Sequence, residues 1–157
     1  MGRAKSRNYW RASVKLIAAV FLIIGAVRLA VALPMFLYAL GAIDGPLFAQ
    51  SLENVTRLLA DHNRRALVSF NATGYFALQL IAGAMLFAGA AGVLKSKTWG
   101  RSLIAGYLVF HAFTFFNFQV ANAKFWTLLV MIFLLGIMIF AQKQSAIVRG
   151  QSPRSRG

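Results

Sequence analysis

The stretch Val14–Leu40 reads VKLIAAVFLIIGAVRLAVALPMFLYAL, and its only charged residues are Lys15 and Arg28. A helix needs about 20 apolar residues to cross the hydrocarbon core of a bilayer, and this run exceeds that length. It therefore predicts a first membrane-spanning helix. Three later apolar runs predict further spans over Leu67–Leu94, Ser102–Ala121 and Phe125–Ala141.

The composition is that of a membrane protein. Of the 157 residues, 59% are hydrophobic and 13% are charged, whereas soluble domains carry about 25% charged residues. We predict an all-α membrane protein, a four-transmembrane-helix bundle in which residues 1–143 form one domain and residues 144–157 form a flexible basic tail. The chain has no cysteine, which excludes disulfides and thiolate chemistry.

The basic residues predict the orientation of the bundle. One side of the membrane would carry basic residues and no acid: Arg3, Lys5, Arg7, Arg11, Lys15, Lys95, Lys97, Arg101, Lys143, Arg149, Arg154 and Arg156. All three acids fall on the other side, together with Arg57, Arg64, Arg65 and Lys124. Because basic loops stay in the cytoplasm, we expect both termini there, in the plasma membrane (the inner membrane of a bacterium).

The net charge of +14 also bears on partners. In a soluble protein it would favour nucleic acid. Here the basic residues flank apolar runs, so anionic lipid headgroups at the cytoplasmic face are the expected partner, and nucleic acid is not.

The first outer loop predicts an amphipathic helix over residues 46–65. Four charged residues of alternating sign recur every four positions: Glu53, Arg57, Asp61 and Arg65. Apolar residues fall on the opposite face: Phe48, Leu52, Val55, Leu59 and Ala66. We expect this helix to lie on the outer surface or to cap the bundle.

The second predicted span carries small residues at four-residue spacing: Ala84, Ala88 and Gly92. Lipid tails are as apolar as the helices themselves, so close backbone approach has to supply contact energy between spans. This face is therefore a candidate packing surface, either for another span or for another copy of the chain. A homo-oligomer or a larger membrane complex would use it.

Polar residues at one depth are the main functional candidates. A rise of about 1.5 Å per residue puts Arg28, Gln79 and His111 near the middle of the membrane. We predict an intramembrane cluster with these members: Arg28, Gln79, Tyr107, His111 and Asn117. Three interpretations are open, namely an interhelical hydrogen-bond network, a site for an anion or polar small molecule, and a proton or quinone role for His111.

Enzymatic interpretations find little support. The chain has two histidines, His62 in the outer loop and His111 in a span, whereas haem held between spans usually needs a suitably placed pair of axial ligands. No cluster of histidines and carboxylates suggests a metal centre. We therefore expect a non-enzymatic accessory, assembly or interaction subunit without a cofactor. A small anion channel or carrier around Arg28 and His111 is the alternative, and a quinone- or haem-associated redox component is the third.

The segment Gly92–Arg101, GVLKSKTWGR, carries a first resemblance. It is similar to the basic, tryptophan-containing cytoplasmic turn of several families of small four-span bacterial membrane proteins of unknown function. The long outer loop before this hairpin also fits those families. The resemblance implies a four-span layout and no particular activity.

A second resemblance is to the small four-span fluoride channels. It rests on Gly25-Ala26-Val27-Arg28, on Asn71-Ala72-Thr73-Gly74-Tyr75-Phe76, and on the phenylalanines at 113 and 116. The resemblance implies an aromatic ion path. The chain departs from that family because it lacks the Thr-Thr-Phe-Ser signature, has the arginine shifted by one residue and carries the long amphipathic loop.

Overall fold

The computed structural model describes the backbone of residues 2–118 and 123–150 and the side chains of residues 12–118 and 126–141. Within these ranges the chain is all-helical and has no strand, which confirms the predicted fold class in its coarse form. Its five helices are α1 (Gly2–Ala39), α2 (Pro46–Asn63), α3 (Ala72–Leu94), α4 (Trp99–Phe118) and α5 (Ala123–Gly150). The side chains of the N-terminal basic residues 3–11 lie outside the described residues, and so do residues 119–122, near the junction of the third and fourth predicted spans.

The antiparallel pair of α1 and α3 is the most extensive helix contact, and α1 also packs against α5. Gly25 permits the closest approach, since a Cβ there would lie 2.7 Å from the backbone nitrogen of Phe87. Four residues along α1, the side chain of Leu29 lies over Gly83. Small residues thus bring the two backbones together without a hydrophobic driving force.

A tight hairpin joins α3 to α4. Ser96 has a φ of 58°, the left-handed conformation that commonly ends a helix, and the amide of Lys97 donates to the carbonyl of Gly92 at 2.8 Å. A Cβ on Gly100 would lie 2.5 Å from the backbone nitrogen of Val93, so the start of α4 lies directly against the end of α3. The basic residues Lys95 and Lys97 are exposed on this turn.

Two of the described helical segments are long and apolar enough to cross a membrane by length and composition: Ala12–Ala39 in α1 and Ala72–Leu94 in α3. The apolar segment of α5, Trp126–Ala141, is shorter. All four long helices expose large apolar side chains, among them Ile23 and Val27 in α1, Ile81 in α3, Val109 and Phe116 in α4, and Phe133 in α5. The crossing of the membrane by α4 and α5 stays a prediction.

Several boundaries differ from those predicted. The second predicted span begins at Leu67, but α3 begins at Ala72, because the side chain of Asn71 accepts a hydrogen bond from the amide of Gly74 at 2.7 Å and caps the helix there. The helix predicted over 46–65 ends at Asn63. In the last two helices, α4 begins at Trp99 rather than Ser102, and α5 continues to Gly150, into the predicted tail. Residues 151–157 lie outside the described part.

Candidate functional site

Arg28 is the centre of the candidate site. It lies on α1, half-buried, beside Gly83 of α3. Its Nη1 donates to Oε1 of Gln79 on α3 at 3.1 Å, so a neutral amide is the first acceptor of this cation. At the mid-membrane depth that the sequence predicts for Arg28, a charge would cost about 2.5–3.5 kcal/mol on insertion scales, and such an acceptor would offset part of that cost.

His111 on α4 supplies a second contact. Its Nε2 lies 3.4 Å from Nη2 of Arg28. A guanidinium has only donors, so the imidazole has to present the lone pair of Nε2, which requires the neutral ring with its proton on Nδ1. The ring of His111 also contacts that of Phe115 edge-on, with centroids 5.0 Å apart. The sequence prediction that Arg28, Gln79 and His111 share one depth thus corresponds to direct contact in the structure.

Tyr107 completes the cluster and links it to α5. The Cζ atom of Arg28 lies 5.4 Å from the centroid of its ring, within reach of a cation–π contact. The ring also stacks on His111 at 5.5 Å and 15°. The side chain is fully buried, and its hydroxyl donates to the sulfur of Met131 at 3.7 Å. The cluster therefore joins α1, α3, α4 and α5.

A small cavity lies beside this cluster, between α3 and α4. Its polar lining comes from Tyr75, Gln79, His111 and Thr114, and the hydroxyl of Thr114 donates to the carbonyl of Phe110 within its own helix. The space open to the centre of a water-sized sphere is about 10 Å³, close to what one water molecule needs. A quinone or haem would not fit this space.

Asn117, which the sequence groups with the same cluster, lies apart from it. Asn117 is fully buried at the end of α4, and its side chain binds both backbone groups of Val68. Nδ2 donates to the carbonyl of Val68 at 3.0 Å, and Oδ1 accepts from its amide at 2.8 Å. The physical reason is that a short side chain six residues beyond His111 is about 9 Å further along the helix and out of reach of Arg28.

Sequence reasoning missed a second asparagine that acts in the same way. Asn63, the last residue of α2, accepts from the amide of Phe70 at 3.2 Å and donates to its carbonyl at 2.8 Å. Together, Asn63 and Asn117 fix the chain between α2 and α3 through the backbone groups of Val68 and Phe70. The sequence did contain a signal for this segment: Asn71 is a helix-capping residue inside an apolar run, which indicates that the residues before it lie outside the helix.

The predicted packing face of small residues divides between two environments. Gly92 is buried against Trp99 and Gly100 in the α3–α4 hairpin, whereas Ala84 is exposed and Ala88 is half-buried. One end of this face, at Gly92, therefore packs against α4 of the same chain. Its use by another copy stays a prediction.

Among the described residues, no three histidine, aspartate or glutamate side chains lie close enough together to hold a metal ion. No protein-family model matches this chain, and neither does any curated protein or solved structure. The two resemblances noted from the sequence therefore stay predictions, and function has to be inferred from the geometry of the site.

Proposed function

We propose that this chain is a non-enzymatic, four-span integral membrane protein, an accessory, assembly or interaction subunit whose polar centre holds its own helices together. The observation that carries the proposal is the set of partners around the half-buried side chain of Arg28. Its guanidinium faces Gln79, His111 and the ring of Tyr107, and the adjacent cavity has room for about one water molecule. Side chains of α1, α3 and α4 thus meet at one cation, and the hydroxyl of Tyr107 extends the cluster to Met131 of α5.

The exposed surface supports a membrane location for all four long helices. Soluble proteins rarely expose large continuous apolar patches. Here α4 and α5, like α1 and α3, carry large apolar side chains on their outward sides, with Val109, Phe116 and Phe133 each more than half exposed. Lipid would cover these side chains. The basic turn Lys95–Arg101 and the acidic residues of α2 then lie on opposite sides, which supports a cytoplasmic location for both termini.

Single cysteines can test this topology, because the chain has none of its own. Gln50→Cys and Lys97→Cys both replace exposed residues, one on each proposed side. In intact bacterial cells, a membrane-impermeant maleimide should label position 50 and not position 97, and permeabilisation should make both reactive. Labelling of both positions in intact cells, or of position 97 alone, would contradict the proposed orientation.

The contacts that Arg28 makes within the bundle support a structural role over transport. Arg28 already has three partners on other helices: the amide of Gln79 on α3, and the imidazole of His111 and the ring of Tyr107 on α4. Interhelical hydrogen bonds of this kind contribute about 0.6–2 kcal/mol in membranes. Such a network fixes the arrangement of the bundle and leaves its outward surfaces for other proteins or for a second copy.

A small anion channel or carrier is the second candidate. The observation in its favour is the water-sized cavity beside Gln79 and His111, both of which contact a cation that has no carboxylate partner among the described residues. A monatomic anion is close to water in size and would be attracted to Arg28. The bound partners of Arg28 would have to separate for an anion to reach it.

Anion flux from liposomes distinguishes the two candidates. Purified wild-type protein and the Arg28→Met variant would be reconstituted, and efflux of fluoride and chloride would be recorded with ion-selective electrodes. The structural proposal predicts no efflux above that of protein-free liposomes for either protein. Wild-type efflux that disappears in Arg28→Met, with helix content and monodispersity unchanged, would favour the channel and overturn the leading proposal.

A further inference from the structure

The outer end of the bundle is formed by α2 and residues 64–71, which we call the outer cap. At one end of α2, the ring of Phe48 lies 5.7 Å from that of Tyr38 in the last turn of α1. At the other end, the ring of His62 lies 5.8 Å from that of Phe118, the last residue of α4. The helix therefore lies across the ends of α1 and α4, at their level.

In the irregular part of the outer cap, backbone groups of Leu67, Val68 and Phe70 are paired within the protein. The amide of Leu67 donates to the backbone carbonyl of Asn117 at 3.2 Å, and the side chains of Asn117 and Asn63 bind both backbone groups of Val68 and Phe70. A loop surrounded by water can leave such groups to the solvent. Where water is scarce, each must find a partner within the protein.

The outer cap also exposes large apolar side chains. The exposed fractions are 80% for Leu47, 63% for Leu67 and 46% for Leu58. Leu47 and Leu58 lie on one flank of α2, about three turns apart. Leu40, directly after α1, is exposed at the same end of the bundle, so these leucines continue the exposed apolar surface of the long helices.

We propose that the outer cap lies within the interfacial layer of the bilayer, with Leu47, Leu58 and Leu67 inserted between lipids. This inference rests on the proposed membrane location of the bundle. Lipid would cover the flank of α2 that carries Leu47 and Leu58, because this flank lies at the level where the spans end. In the adjoining irregular segment, backbone groups of Leu67, Val68 and Phe70 already have partners within the protein, as a medium with little water requires. The exposed ion pair of Arg57 with Glu53, 2.6 Å long, faces the water.

In this arrangement α2 is held in place by the bundle on one side and by lipid on another. Interfacial helices bury their apolar side chains about 5–10 Å into the boundary between headgroups and acyl chains. In this chain the side of α2 that faces the bundle buries Leu59, while a separate flank meets lipid. The outer cap therefore responds to lipid composition as well as to the packing of the spans.

Spin labels on single cysteines test the proposal. Leu47→Cys and Leu67→Cys sample the apolar flank and the paired segment, and Gln50→Cys, on the exposed polar side of the same helix, is the matched control. Ile23→Cys, 62% exposed in the middle of α1, is the reference for lipid. Each nitroxide-labelled protein would be reconstituted in phosphatidylcholine–phosphatidylglycerol vesicles, and its collisions with oxygen and with a water-soluble nickel chelate would be measured by electron paramagnetic resonance.

Oxygen collisions should dominate at positions 47 and 67, as at position 23, and nickel collisions should dominate at position 50. If nickel dominates at 47 and 67 while oxygen dominates at 23, the outer cap lies in water and the inference is overturned, although the membrane location stands. If nickel dominates at position 23 as well, the membrane location fails together with the inference.

Discussion

The centre of the bundle and its outer cap meet the same difficulty, polar groups in apolar surroundings, in different ways. In the centre, Arg28 reaches two partners on other helices through a long side chain, at 3.1 and 3.4 Å. At the outer cap, Asn63 of α2 and Asn117 of α4 pair with backbone groups of the cap through short amide side chains, at 2.8–3.2 Å.

The contacts of Arg28 can adjust to the loss of a partner, whereas those of the two asparagines are tightly fixed. Arg28 has five donors and several rotatable bonds, so the loss of one partner leaves others within reach. Each asparagine satisfies one donor and one acceptor of a single residue, and within the described part of the chain no other side chain forms a hydrogen bond with those groups. We therefore expect the loss of one of these asparagines to destabilise the protein more than the loss of one partner of Arg28.

The largest effect is expected for Asn117→Ala. The amide and carbonyl of Val68 would lose their partners, and each buried polar group left unpaired costs about 1–3 kcal/mol, so the variant should lose about 2–4 kcal/mol of unfolding free energy. Unfolding in detergent micelles, followed by circular dichroism, measures this loss. The control Asn54→Ala removes an exposed asparagine of α2 and should change stability by less than about 0.5 kcal/mol. If Asn117→Ala and Asn54→Ala were equally stable, the outer cap would not be the more sensitive region.

Gln79→Leu should cost somewhat less. The charged donor Arg28 would lose its amide acceptor but keep His111 and the ring of Tyr107, which gives an expected destabilisation of about 1–3 kcal/mol. The same unfolding assay applies. Gln50→Leu is the matched control, because it makes the same replacement at an exposed position of α2. A Gln79→Leu variant as stable as this control would mean that the amide does not stabilise the cation.

Asn71→Ala tests the boundary between the outer cap and α3. The side chain caps α3 through the amide of Gly74, and the loss of such a cap costs about 1 kcal/mol. Asn71→Asp keeps the accepting oxygen and should restore most of the stability. Similar losses in both variants would show that the side chain acts through something other than capping.

The smallest effect is expected for Glu53→Gln on the water-facing side of α2. Its ion pair with Arg57 is 61–75% exposed, so its removal should change stability by about 0.5 kcal/mol or less. Any difference from the wild type should shrink as the salt concentration rises. A larger loss that persists in high salt would indicate that this side of α2 is packed rather than solvated.

The sequence predicted the central cluster better than the outer cap. Arg28, Gln79 and His111 lie on helices, where a fixed rise per residue converts sequence position into depth. Asn117, which the sequence groups with them because it shares a helical sector with His111, has the backbone of Val68 as its partner, and backbone groups carry no sequence signal. For a similar reason α3 begins at Ala72 and not at Leu67, where the second span is predicted to begin: Leu67, Val68 and Phe70 are apolar, yet two asparagines bind the backbone of this segment outside the helix.

The contribution of Arg28 to the bundle is tested most directly by a double-variant cycle of Arg28→Met and Gln79→Leu, measured as unfolding free energies in micelles. If Gln79 stabilises the cation, removal of the cation should relieve the defect of Gln79→Leu. The double variant should then be more stable than Gln79→Leu alone, with a coupling of about 0.5 kcal/mol or more. Costs that simply add would contradict the account, because Arg28 and Gln79 would then contribute independently.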